Sequence, residues 1–286
     1  MSRTTILRRG VAATWSGLVR PGMGNGHKVR PLVADGDHRR SDPFLFLMED
    51  WFGPNVFADH PHRGIETVTY VIDGTLEHRE HGKNTGTFAT GDAMWMTAGR
   101  GVIHNEAPAG NGTVHTLQLW VNLPAADKMT TPRFQILKGA EMPERLVERG
   151  RVRVFSGQSG EVRGKTLNHV PVTMVELRLE PGGSAAQELP ASYNGFLHLL
   201  DGDGLFGPEQ VRAGAGDIVW IEGPLAPPGS AGESEFLVAA GERGLRALLW
   251  AGEPLREPVV ARGPFVMNTE QQIREAYEDY RAGRFG

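Results

Sequence analysis

Two short stretches carry the side chains best suited to chemistry. One reads Asp59-His60-Pro61-His62 and the other His104-Asn105-Glu106. Each sets two potential ligands two residues apart, and on a strand residues i and i+2 face the same side. His-x-His therefore projects two imidazoles from one face, and His-x-Glu projects an imidazole and a carboxylate. If a small barrel brings the strands together, His60, His62, His104 and Glu106 converge as three nitrogens and one oxygen. That donor set suits iron, manganese, copper, nickel, cobalt or zinc. Four protein ligands around an octahedral ion leave two positions open, which suits a reacting site better than a structural one. A lone histidine would be read as a surface or hydrogen-bonded group. Two such pairs in a β context favour a metal.

The neighbouring residues set further expectations. Glu66 follows His62 by four positions and shares its face on a regular strand. It is a rival ligand or, the preferred reading, a hydrogen-bond partner for an imidazole N–H. Gln118 interrupts the apolar run HTLQLWV. Buried, it must be hydrogen-bonded, either lining a pocket or serving structure. His115 lies three positions away, so only one of the two can point inward. His78 and His81 flank the stretch EHREHGKNTG and are expected at the surface or in a turn. Met94, Trp95, Met96, Val102, Ile103, Leu117 and Leu119 are expected to alternate between a pocket and the outside.

The elements that must position these residues are strands. Glycine and proline punctuate the chain at short intervals, which fits many short strands and turns. GIETVTYVIDG followed by GDAMWMTAGRG is echoed by NGFLHLLDG followed by GDIVWIEGP. The repeat predicts a duplicated all-β unit. Its second copy keeps His198 but has no His-x-His, so it is expected to serve as scaffold, lid or interface. The division is placed at residues 1–135, with the metal site, and 136–286, without it. In NTEQQIREAYEDYRAGRFG, Asn268 or Thr269 can cap a helix that Gly283 stops. Its residues Ile273, Ala276, Tyr277 and Tyr280 share one face.

Composition closes several alternatives. There is no cysteine among the 286 residues, so disulfides, thiolate catalysis and Cys-held clusters are excluded. A net charge of −4 without a basic patch argues against direct nucleic-acid binding. The apolar runs fall short of the ~20 residues of a membrane helix, so no membrane role is expected. The N-terminal stretch is too broken for a secretory signal, and a cytoplasmic location is expected.

Four blocks together resemble the pirin family of the cupin superfamily. They are HPHRGIETVTYVIDG, GDAMWMTAGRGVIHNE, LQLWVNLP and GPFVMNTEQQIREAYEDYRAGRFG, with SDPFLFLMEDWFGP similar to the family's N-terminal portion. The resemblance implies a bicupin: two antiparallel cupin-type β-barrel or sandwich units with a C-terminal helix. It implies one divalent metal, usually iron(II), in the first unit only, with His60, His62, His104 and Glu106 as ligands. General cupins would use a carboxylate at the position of Glu66, whereas pirins use the later one. Thr97 stands where the general cupin motif has proline. Two functions follow as expectations. One is a quercetin 2,3-dioxygenase-like enzyme that opens a flavonol with dioxygen, with Glu106 as catalytic base. The other is a metal- and redox-sensing regulator acting through a protein partner. The chain is expected to be a monomer.

Overall fold

The computed structural model describes residues 6–24, 26–33, 38–81, 84–227, 229 and 232–285. Seven strands position the candidate site: β1 (Phe44–Phe52), β2 (His60–His62), β3 (Ile65–Asp73), β4 (Thr75–Glu80), β5 (Ala93–Thr97), β6 (Val102–Pro108) and β7 (Val114–Asn122). On β6 the period-2 pattern buries Val102, His104, Glu106 and Pro108 and leaves Ile103, Asn105 and Ala107 half-buried. The two ligand candidates of this strand therefore share its inner face.

The strands form antiparallel sheets. A four-stranded sheet runs β2, β6, β4 and Thr85–Ala89. A seven-stranded sheet runs Arg133–Leu137, β5, β3, β7, β1, Lys28–Val33 and Arg20–Pro21. The all-β, two-unit architecture with a C-terminal helix is the one expected. The repeated blocks take equivalent places: β3 pairs with β5 in the first copy, and Asn194–Phe206 pairs with Asp217–Ile221 in the second.

The chain divides differently from the sequential split at residue 135. One compact unit comprises Leu18–Ala140 and Leu255–Gly286, and the other comprises Met1–Gly17 and Glu141–Pro254. In the second of these, Leu7–Arg9 runs parallel to Glu233–Gly252 and Val11–Ser16 pairs with Asp217–Ile221. Arg9, buried, fastens this N-terminal segment by bonding Ser234 Oγ and the carbonyls of Pro190, Tyr193 and Glu222. The core of this unit is aliphatic and aromatic, with Leu177, Leu197, Phe206, Phe236 and Leu249 among its buried residues.

In the site-bearing unit the C-terminal helix spans Glu270–Arg281. Thr269 caps it, and Gln272 completes a capping box. Ile273 and Ala276 are buried in one cluster with Phe265, Met267 and Phe285, and Ile103 of β6 packs on that cluster. Tyr277 packs on Phe265, whereas Tyr280 is 37% exposed. The tail also grips the residues just past the histidine pair. Arg63 donates to the Arg100 carbonyl at 2.6 Å and to Asp279 at 2.8 Å, with its guanidinium over the Phe285 ring. Lys128, 1% exposed, donates to the Gly64 and Val266 carbonyls and to Asn122 Oδ1 at 2.8–3.0 Å. Gly64 itself has φ 80°, and a Cβ there would run into the Val266 carbonyl.

Candidate metal centre

Antiparallel pairing of β2 and β6 sets His104 opposite His60 and Val102 opposite His62. The ring centroids lie 4.3 Å apart for His60–His104, 5.0 Å for His62–His104 and 5.1 Å for His60–His62. One nitrogen from each ring falls within 4.8 Å of the others, a grouping that could hold a metal ion. Glu106 joins a second group of the same tightness, with His104 and His78. Its carboxylate is held by two donors on neighbouring strands: Thr69 Oγ1 at 3.0 Å and Gln118 Nε2 at 2.6 Å. Thr69 and Gln118 face each other across β3 and β7, so both reach the same carboxylate. Gln118 is itself oriented by Trp120, whose indole N–H donates to its Oε1 at 3.3 Å.

The donor chemistry fits a cation. His60 Nδ1 lies 2.9 Å from the Ala58 carbonyl, which can only accept, so the proton sits on Nδ1 and Nε2 offers a lone pair. His62 is 2% exposed, and among the described residues neither ring nitrogen has a partner in hydrogen-bond geometry. His104 is 1% exposed and its Nε2 likewise has none. Buried nitrogens without partners cost about 1–3 kcal/mol each, a cost that a coordinated ion removes. Burial, reinforced by His60, holds the His62 pKa down to about 3; the Pro264 backbone, close to the ring but outside hydrogen-bond geometry, opposes this weakly. His104 is pushed well below the usual histidine value, again by burial first and then by His62, His60 and His78. Neutral imidazoles are what a metal needs.

An acid dependence follows. An unfolded histidine takes its proton near pH 6.5, whereas folded His62 does so near 3. Between those values the unfolded chain holds more protons, so stability falls as pH drops through that window. Thermal unfolding of chelator-treated protein should show a lower Tm at pH 4.5 than at pH 7, and His62→Ala should flatten the dependence. Equal slopes in the two proteins would contradict this account.

The site opens into a cavity of about 690 Å³. His60, His62, Thr69, Glu106 and Gln118 form one polar end, and Phe46, Met48, Phe52, Phe57 and Trp120 supply much of the apolar wall. This wall differs from the expected one. Met94, Trp95, Met96, Val102, Ile103, Leu117 and Leu119 do not line it. On β7 the inward residues are Thr116, Gln118 and Trp120, so Leu117 and Leu119 take the opposite face. On β1 the lining residues Phe46, Met48, Asp50 and Phe52 alternate in the same way.

Gln118 lines the cavity. Glu66 is fully buried on β3 and accepts from Thr97 Oγ1 at 2.6 Å, across the β3–β5 rung that pairs them. His78 is a correction: it is 1% exposed, not at the surface. Alternation on β4 buries Leu76, His78 and Glu80 together, a pattern visible in TLEHRE. The His78 ring stacks on Phe134, its Nδ1 lies 3.4 Å from His104 Nδ1, and its Nε2 faces Glu80 at 3.5 Å. His81 is exposed, as expected. His115 turns away from the cavity to Glu49 at 2.7 Å. In the other unit His198 meets the Asp217 carbonyl at 3.1 Å, and among the described residues no metal-holding group forms there.

Comparison with known proteins follows the same lines. The family model described as Pirin matches residues 27–121, and the Pirin C-terminal cupin domain matches residues 174–286. A pirin-like protein of Solanum lycopersicum is 38% identical over 264 residues, covering 92% of this chain and 88% of its own length. Among solved structures, GK1651 from Geobacillus kaustophilus is 46% identical with a TM-score of 0.84, covering 89% of this chain and 100% of that one. A quercetin 2,3-dioxygenase from Acinetobacter baumannii is 28% identical with a TM-score of 0.85, covering 98% of this chain and 99% of that one.

Proposed function

The chain belongs to the pirin family, and on that footing we propose that it is a metal-dependent dioxygenase that opens a quercetin-like flavonol with dioxygen. The observation that carries this reading is the position of His60 and His62, clustered with His104, at the polar end of an apolar cavity. The likeness to a quercetin 2,3-dioxygenase over nearly the whole chain supports the choice of substrate class.

In this reading His60, His62, His104 and Glu106 hold one divalent ion, with iron(II) the proposed occupant. The ion supplies Lewis acidity toward a chelating hydroxyl–carbonyl pair. The chain supplies the rest. Phe46, Phe52, Phe57 and Trp120 exclude water and hold the flat rings. Glu106 takes the proton of the substrate hydroxyl, and Thr69 and Gln118 keep its carboxylate aimed. The His78 ring, wedged between Phe134 and His104, fixes the orientation of the His104 imidazole.

The test is turnover by protein loaded separately with iron(II), manganese, copper, nickel, cobalt and zinc. Loss of flavonol absorbance, oxygen uptake and carbon monoxide release should coincide in the iron form. Glu106→Gln should lower the rate on the order of 10²-fold or more, the usual contribution of a positioned base. Absence of oxygen-dependent flavonol loss in all six forms would reject the proposal.

A further inference from the structure

The cavity has a second polar end. His27 and Asp50 lie in its wall, 5% and 7% exposed, and neither belongs to the histidine cluster. The His27 ring is fixed at both nitrogens. Nδ1 accepts from the Met23 backbone N–H at 3.0 Å, and Nε2 lies 2.9 Å from Asp50 Oδ1. Because Nδ1 accepts, the ring proton sits on Nε2 and is donated to the carboxylate. The ring also meets Phe52 and Phe57 edge-on at 6.2 and 5.4 Å, and Phe57 in turn lies 6.3 Å from His60. One aromatic residue thus bridges the two polar ends.

Sheet register places Asp50 relative to the metal centre. Asp50 is opposite Thr116, and the next inward pair is Met48 with Gln118, the residue that holds Glu106. Successive inward pairs are spaced about 7 Å along a strand. The Asp50 carboxylate and the Glu106 end therefore flank a length of apolar wall suited to an aromatic body.

A carboxylate in such a wall is costly without partners. Burial pushes the Asp50 acid upward, and the His27 hydrogen bond opposes it. His27 serves Oδ1, whereas Oδ2 receives no donor among the described residues. Among the described residues neither side chain hydrogen-bonds to the histidine site. An ionised carboxylate accepts hydrogen bonds and cannot donate them. A neutral donor on a ring suits it better than an ammonium, which would bring a second charge to desolvate.

We propose that Asp50, oriented by His27, is a specificity subsite that accepts a hydrogen bond from a phenolic hydroxyl remote from the metal-chelating end of the substrate. The inference rests on the flavonol reading for the identity of the chelating end. It adds that a polyhydroxylated ligand is selected over one with a bare distal ring.

The experiment compares quercetin with 3-hydroxyflavone, which has the same chelating pair but none of the other hydroxyls. Binding is measured without oxygen on the metal-loaded full chain. The wild type should prefer quercetin, and Asp50→Asn should cut that preference roughly tenfold to a hundredfold, the worth of a hydrogen bond to a charged group. The loss should fall on quercetin and not on 3-hydroxyflavone, whose retained binding also shows that the variant is folded. An unchanged preference in Asp50→Asn overturns the proposal. A second arm separates this from the flavonol reading. Phenol, but not anisole, should shift the His27 ring resonances of the wild type. If neither flavonol binds, the flavonol reading fails, and the phenol and anisole pair alone decides the subsite: equal shifts, or none, reject it.

Discussion

Replacing His62 with alanine should abolish binding of the proposed metal while leaving the fold in place. His62 contributes two buried ring nitrogens without a hydrogen-bond partner among the described residues, so the folded chain gains little from them when no ion is bound. Its loss leaves His60 and His104 to grip an ion with one imidazole fewer. Removing a mere outer hydrogen-bond partner costs about 10–100-fold in affinity, and a direct ligand should cost well beyond that. Elemental analysis after gel filtration and circular dichroism make the check. His81→Ala, at an exposed position, is the control and should keep its metal. Stoichiometric metal in His62→Ala would remove this histidine from the ligand set.

The second large effect concerns stability. Lys128→Met should destabilise the site-bearing unit by roughly 3–5 kcal/mol, because it leaves buried acceptors without their donor. Methionine matches the volume, so packing is nearly preserved and the loss reports the polar contacts. The three oxygens around Nζ belong to three separate stretches: Gly64 just past the histidine pair, Asn122 at the end of β7 and Val266 in the tail. Burial pulls the ammonium pKa down to about 7, with Glu257 opposing. All three oxygens can be served only by the charged form, which has three N–H groups where the amine has two. Thermal unfolding of the full chain should show a biphasic or lowered transition. A Tm within a degree or two of the wild type would show that the cluster is dispensable.

The legible parts of this chain were those set by short periods. His-x-His and His-x-Glu point inward because alternation is local and obeys the strand. The helix was legible for the same reason: Thr269 and Gln272 sit at capping-box spacing, and Ile273 and Ala276 are three apart. His78 obeys the same alternation, but its charged neighbours Glu77, Arg79 and Glu80 made the stretch look like a turn. The cavity wall was less legible, since β7 carries large apolar residues on both faces, Trp120 on one and Leu117 and Leu119 on the other, and only pairing with β1 and β3 decides which face lines the cavity. Asp50 could not be singled out from FLFLMEDWF, because its partner His27 lies on another segment and is brought in by the sheet. The division into units was hidden for a related reason. Residues 7–16 pair with strands more than two hundred positions later, and no local pattern records that.

The bracing of the histidine strand by the C-terminal tail has a consequence for how the protein is made. His60, His62 and His104 leave the ribosome well before Val266, Asp279 and Phe285, which lock the residues beside them. At ~5–20 residues per second, the stretch from residue 141 to the end takes on the order of ten seconds to emerge. During that interval the nascent chain carries its imidazoles without that brace. Secure capture of the proposed cation would thereby wait for residues 265–285 to emerge, and a chain cut before them would keep the histidines without the means to hold them in place.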